Sequence, residues 1–244
     1  MDRFVEEAII LGTVDYGDAD RLVTLFTRGK GKLTAFAAGA RKSKRRFAGA
    51  LEPGTLVKAQ LVARHGTTFR LDSVDIERGF YAVRADLPRI SRALYAVELC
   101  RELIRDEQPH EELFELLGRY LDLLERNQAG PTSLLAFELE ALEHTGLMPR
   151  FDVCAICGGA LIEPLRFDPD HGGAVCANDA LRAPHGVGVD ASLIAALRAI
   201  QQGERKPLPP QARQRARELL NLFIATQLGR KLKSVDFMAQ VGLD

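Results

Sequence analysis

Three cysteines and an aspartate carry the sharpest chemical signal in the 244 residues. Cys154-Ala155-Ile156-Cys157-Gly158-Gly159 is a C-x-x-C turn followed by glycines, and after eighteen intervening residues comes Cys176-Ala177-Asn178-Asp179. A tight turn of this kind presents two donors to one ion at tetrahedral angles, and the glycines allow the chain to make it. The spacing predicts two knuckles holding a structural zinc ion through Cys154, Cys157, Cys176 and Asp179. His171 competes with Asp179 as fourth ligand, His185 does so more weakly, and a metal-free pair of cysteines remains open. Cys100 lies within an apolar helical stripe and is expected to be a buried thiol. No H-E-x-x-H motif, histidine cluster, nucleophile elbow or phosphate-cradling glycine loop is present, so enzymatic activity is not expected.

The second signal is a run of cations. Arg41-Lys42-Ser43-Lys44-Arg45-Arg46 places five positive side chains in six residues, and no acidic residue occurs from Arg21 to Leu51. Such density repels itself until an anion arrives. A phosphate backbone suits it without any demand on sequence, through counterion release. Arg28, Lys30 and Lys32 extend the field across a glycine-containing turn, so Arg28, Lys30, Lys32, Arg41, Lys42, Lys44, Arg45 and Arg46 are the expected DNA-binding residues. Phe26, Phe36, Phe47 and Phe69 are candidates for base stacking, Phe47 being the best placed, although strand spacing favours a core role for most of them. Net charge is +0 with 33 basic and 33 acidic residues. That zero is a cancellation, since the 98–143 region is acidic and the 204–233 region turns basic again.

The elements that must position these groups fall into two kinds. Up to about residue 80 the apolar residues alternate with period two between glycine turns, which predicts five short strands at 7–14, 21–27, 32–39, 55–64 and 67–74. Five antiparallel strands in so short a span predict a small β-barrel of the oligonucleotide-binding (OB-fold) kind. Beyond residue 80 the period becomes 3.6, predicting helices near 87–105, 113–124, 132–147, 191–201, 210–228 and 234–241. The expected architecture is multidomain α+β: an OB-fold nucleic-acid-binding barrel over 1–80, then an all-α helical domain over 81–244 with a zinc-finger-like insert at 150–187. The 46% hydrophobic and 27% charged content is that of a globular chain, no stretch is long enough to span a membrane, and no export signal is evident, so a cytoplasmic location is expected.

Several runs, in order, resemble the bacterial recombination mediator family RecO. They are Ala8-Ile9-Ile10-Leu11-Gly12, Asp15-Tyr16-Gly17-Asp18-Ala19-Asp20-Arg21-Leu22-Val23-Thr24-Leu25-Phe26-Thr27, Gly31-Lys32-Leu33-Thr34-Ala35, Gly39-Ala40-Arg41-Lys42-Ser43, Ala48-Gly49-Ala50-Leu51-Glu52-Pro53, the C-x-x-C insert, and Gly229-Arg230-Lys231-Leu232-Lys233-Ser234. Asp179 departs from the family pattern, which has a fourth cysteine there. The resemblance implies a non-enzymatic DNA-repair protein of the RecF pathway. Such a protein binds single- and double-stranded DNA, anneals complementary strands, and works with RecR to help RecA displace single-strand-binding protein. It further implies a nucleoid-associated location and contact with the acidic C-terminal tail of single-strand-binding protein, for which the basic 213–233 region is the expected receiver. From the residues alone, a zinc-dependent hydrolase or nuclease and a protein-only scaffold remain the competing readings.

Overall fold

The computed structural model describes residues 2–43, 45–47, 49–63 and 69–242, so Lys44 and the expected 65–66 turn lie outside the described residues. The chain separates into two compact units, 1–128 and 129–244.

The first unit opens with β1 (Arg3–Tyr16), β2 (Asp20–Thr27), β3 (Gly31–Ala37), β4 (Leu56–Val62) and β5 (Phe69–Arg78). The strands pair in the order β1-β2-β3-β5-β4, and β4 returns to β1, so the sheet closes on itself. All these ladders are antiparallel except β3 with β5. A register shift between Ile10 and Gly12 lets the fourteen-residue β1 bend, serving β4 with its first half and β2 with its second. Alternation sorts the side chains: on β3, Leu33, Ala35 and Ala37 are buried while Thr34 is exposed and Phe36 half-buried. The interior gathers Ala8, Ile10, Val23, Leu25, Val57, Ala59, Leu61, Leu71 and Val74 around them.

On β1 the apolar run Ile9-Ile10-Leu11 is buried on both faces, because part of the sheet's outer surface is covered too. There Ile9 pairs with Phe26, and Phe26 meets Phe114 edge-to-face at 5.4 Å. Phe114 belongs to α3 (Glu111–Glu125), which follows α1 (Tyr81–Arg84) and α2 (Leu87–Leu103). Asp86 caps α2 by accepting from the Arg89 amide at 2.9 Å, and α3 buries Leu113, Phe114, Leu117, Tyr120, Leu121 and Leu124 along one stripe. These helices share the first compact unit with the strands, so the division by compactness falls after α3 and not after β5.

The second unit contains α4 (Ser133–His144), β6 (Leu165–Asp168), β7 (Gly173–Val175), a 3-10 helix (Ala177–Arg182), β8 (Val187–Val189), α5 (Ala191–Gln201), α6 (Pro210–Leu228) and α7 (Lys233–Gln240). The expected cysteine insert carries three short strands, which form a sheet in the order β7-β6-β8, with β8 running two residues beyond the expected end at 187. Phe167 on β6 stacks on Phe151 and meets Phe223 of α6, while Glu138 and Arg217 pair as buried charges between α4 and α6. Among the described residues no helix is long and apolar enough to cross a membrane.

Candidate metal centre and nucleic-acid interface

Cys154, Cys157, Cys176 and Asp179 converge, with one ligand atom from each lying within 4.8 Å of the others. The first knuckle closes through Gly158, whose φ of +72° favours glycine and whose N–H donates to the Cys154 carbonyl at 2.9 Å. The Cys154 N–H donates to the Gly159 carbonyl, and the Ala155 N–H to that of Ala174 on β7. The 3-10 helix supplies the second knuckle, with Cys176 just before it and Asp179 in its first turn.

The edges of the cluster match a tetrahedral centre. Asp179 Oδ2 is 3.5 Å from both Cys154 Sγ and Cys176 Sγ, and Cys157 Sγ is 3.9 Å from Cys176 Sγ. With Zn–S near 2.3 Å and Zn–O near 2.0 Å, a tetrahedron has edges of about 3.5 Å between sulfur and oxygen and about 3.8 Å between sulfurs. Asp179 is 7% exposed, and Arg182 donates to its other oxygen at 2.9 Å, so Oδ2 is left facing the sulfurs.

Without a cation the four donors compete for protons. The Asp179 carboxylate, as the chief cause, pushes the Cys157 thiol up to about 12. The Asp179 carboxyl is itself held down, chiefly by Cys157 and then by Arg182 against the effect of burial. Burial also pushes the Cys154 thiol up, but the amides of Cys157, Cys176 and Ile156 outweigh it and the net shift is downward. These residues could therefore hold a metal ion.

The competing ligands are engaged elsewhere: His171 Nδ1 lies 2.8 Å from Asp168 Oδ2, and His185 Nδ1 lies 3.0 Å from Asp170 Oδ2. Cys100 is fully buried, which raises its thiol pKa strongly.

The cationic residues divide into two sets. Arg28 donates to Glu7 at 2.5 Å and to Glu115, and lies over the Phe114 ring at 4.8 Å. Its pKa is raised, by Glu115 first and then Glu7. Lys32 donates to the carbonyls of Ile104 at 2.8 Å and Arg101 at 3.2 Å, and pairs with Asp106 at 3.3 Å, neutralising the C-terminal end of α2. Both residues tie strands to helices.

The remaining cations stay outside. Lys30 is exposed, with its ammonium 5.0 Å from the Phe4 ring. Arg41 reaches Asp15 at 3.6 Å and the Gly17 carbonyl at 3.3 Å. Arg46 donates to the Ala38 carbonyl at 2.6 Å. Lys42 and Arg45 are exposed and form no ion pair among the described residues.

Inward-facing residues fix this segment, since Ala40, Phe47, Ala50 and Leu51 belong to the interior of the closed sheet. Phe47, expected as the best exposed stacking candidate, is 3% exposed and lies in the core, with Arg46 packed over it at 5.0 Å. Phe26 is likewise buried, and Phe69 packs edge-on to Phe4 at 5.9 Å.

The sequence reading missed Tyr16, which is 58% exposed and meets Phe36 edge-to-face at 5.8 Å. Its signal was available as an aromatic at the strand end beside the turn-prone 17–20 segment. In the 213–233 region, much of the charge is used internally: Arg217 with Glu138, Arg215 with Glu218 and Lys231 with Asp236.

The family model described as recombination protein O N terminal matches residues 1–80, and that described as recombination protein O C terminal matches 84–236. The chain is 64% identical to the DNA repair protein RecO of Myxococcus xanthus, with both chains covered completely. It is 49% identical to that of Anaeromyxobacter sp. (strain K), covering 99% of this chain and 98% of the relative. It is 36% identical to that of Geobacter sulfurreducens, covering 96% and 97%. The chain belongs to the recombination protein O (RecO) family.

Proposed function

We propose that this chain acts in DNA repair and recombination as a binding protein, without catalytic chemistry of its own. The closed sheet of its first unit is an OB-fold barrel that engages single- and double-stranded DNA through the phosphate backbone. The observation that carries this reading is the anchoring of the 38–54 segment. Its apolar residues plug the interior of the closed sheet while Arg41, Lys42, Arg45 and Arg46 stay exposed. Anchoring by Ala40, Phe47, Ala50 and Leu51 fixes the backbone from which these cations project, so they are presented without the ordering cost of a free loop. Such a surface favours phosphates, because each neutralised phosphate releases counterions.

Backbone contacts carry no base readout, which is what annealing complementary strands requires. In this reading the protein acts in the cytoplasm at the nucleoid, with RecR and the acidic tail of single-strand-binding protein as partners and RecA as the indirect beneficiary. Cys154, Cys157, Cys176 and Asp179 would hold a zinc ion as a structural clamp for the second unit. With four protein donors such an ion would have no position left for a reacting water, which disfavours the hydrolase reading.

The test uses Lys42→Glu and Arg45→Glu, since neither side chain has an ion pair to lose among the described residues. Fluorescence anisotropy with single-stranded oligonucleotides across a salt series should show weaker binding and a shallower dependence of log K on log salt, by about 0.7 for each phosphate no longer neutralised. Unchanged affinity and slope would remove the reading.

A further inference from the structure

We propose that Tyr16 and Phe36 form a base-stacking subsite that gives the first unit its preference for unpaired nucleotides. The inference deepens the DNA-binding reading and rests on it. Ladder pairings align Val14, Leu22, Phe36 and Arg70 across β1, β2, β3 and β5. Their inward-facing neighbours Val23, Ala35, Ala37 and Leu71 are buried, so this row faces outward.

Helices cover the outer surface at Phe26, but this part of it is open, with Val14 67% and Tyr16 58% exposed. The two rings meet at 5.8 Å with an interplanar angle of 85°. An edge-to-face contact covers one face of one ring and only an edge of the other, so the pair retains open π-faces. Tyr16 is the exposed ring of the pair and Phe36 is half-buried against it, so Tyr16 offers the larger open face to a planar apolar partner.

The chemistry of the occupant is set by what lies beside the rings. Asp20 accepts from the Gly39 amide at 2.7 Å, and the Arg41 amide donates to the Ala19 carbonyl at 3.0 Å. These bonds stitch the cationic segment onto the turn that begins one residue after Tyr16. The Arg41 guanidinium touches the Gly17 carbonyl at 3.3 Å, and Lys42 follows unpaired among the described residues.

Asp15 pairs with Arg21 at 3.0 Å and with Arg41, and Asp20 accepts from the Gly39 amide, so Lys42 and Arg45 are cations of the 41–46 stretch left without an ion pair among the described residues. Asp18 alone of the turn's carboxylates faces solvent without a partner among the described residues. Flat apolar faces next to phosphate-seeking cations fit one ligand class, single-stranded nucleic acid, whose bases stack while its backbone is neutralised. A duplex keeps its bases stacked on one another and offers the rings nothing.

The full chain should be titrated with oligo(dT) and with an abasic oligomer of equal length, at several salt concentrations. Tyr16→Ala and Phe36→Ala should each lose about tenfold in oligo(dT) affinity, with the salt slope and duplex affinity unchanged, and should bind oligo(dT) and the abasic oligomer alike. Tyr16→Phe should retain wild-type binding. The chain contains no tryptophan, so Tyr16→Trp creates a single reporter whose fluorescence should be quenched by oligo(dT) and not by the abasic oligomer.

If the wild type binds both oligomers equally with a steep salt slope, the stacking subsite is overturned and the phosphate reading stands. If the wild type binds neither, both fall. Should an alanine variant lower the melting temperature, the comparison of Tyr16→Phe and Tyr16→Trp still decides the matter.

Discussion

At the scale of single residues, Asp179 is the most consequential. It is the one oxygen donor beside three thiols, and its second oxygen is fixed by Arg182. Carboxylate is a harder and weaker zinc donor than thiolate, so Asp179→Cys should retain zinc at least as tightly as the wild type. Asp179→Ala, which leaves three sulfurs and an open position, should bind more weakly. Arg182→Ala frees the carboxylate to rotate and should weaken zinc by about tenfold to a hundredfold, the usual cost of losing a partner that orients a ligand. Competition against a chromophoric chelator measures all three. Equal affinity for wild type and Asp179→Ala would show that the aspartate is no ligand.

At the scale of elements, the β2–β3 turn is where strand and helix are joined. Gly31 has φ +70°, and a Cβ there would stand 1.9 Å from the Gln108 carbonyl oxygen, so the backbones pass closer than any side chain permits. Gly31→Ala should therefore destabilise the first unit by more than the ~1–2 kcal/mol of the left-handed backbone alone. Lys32→Ala should lose about 1–3 kcal/mol with the ammonium's contacts to α2. Urea midpoints check both. That role was not legible in the sequence, because Glu115 and the Arg101 and Ile104 carbonyls lie 69 to 87 residues further along the chain, and Glu7 lies 21 residues before Arg28. Density of charge likewise hid the inward turn of Phe47, since an aromatic among cations carries no period. β6, β7 and β8 escaped because runs of three or four residues are too short to alternate visibly. Legible features were those with a repeat or a fixed spacing: the alternation of β3, the stripe of α3 and the C-x-x-C turn.

At the scale of the whole chain, a net charge of zero conceals a division of labour. The acidic helix α3 takes up Arg28 and Arg78, and the carbonyls at the end of α2 with Asp106 just beyond it take up Lys32, which leaves Lys42 and Arg45, unpaired among the described residues, for an external anion. The metal ligands, by contrast, all belong to the second compact unit, whose core around Phe151, Phe167 and Phe223 is separate from that of the closed sheet. Metal removal should therefore act selectively. A structural zinc ion contributes its binding free energy to the fold it closes, so chelation should lower the melting temperature and raise amide exchange across residues 150–187. Protection of β1 to β5 and affinity for short single strands should stay at the level of the metal-loaded protein. Hydrogen exchange read by mass spectrometry, with anisotropy on the same samples, separates the two effects. Loss of oligonucleotide binding in step with metal would mean that the cationic segment and the cysteine centre work as one site, contrary to the independence their placement in separate cores implies.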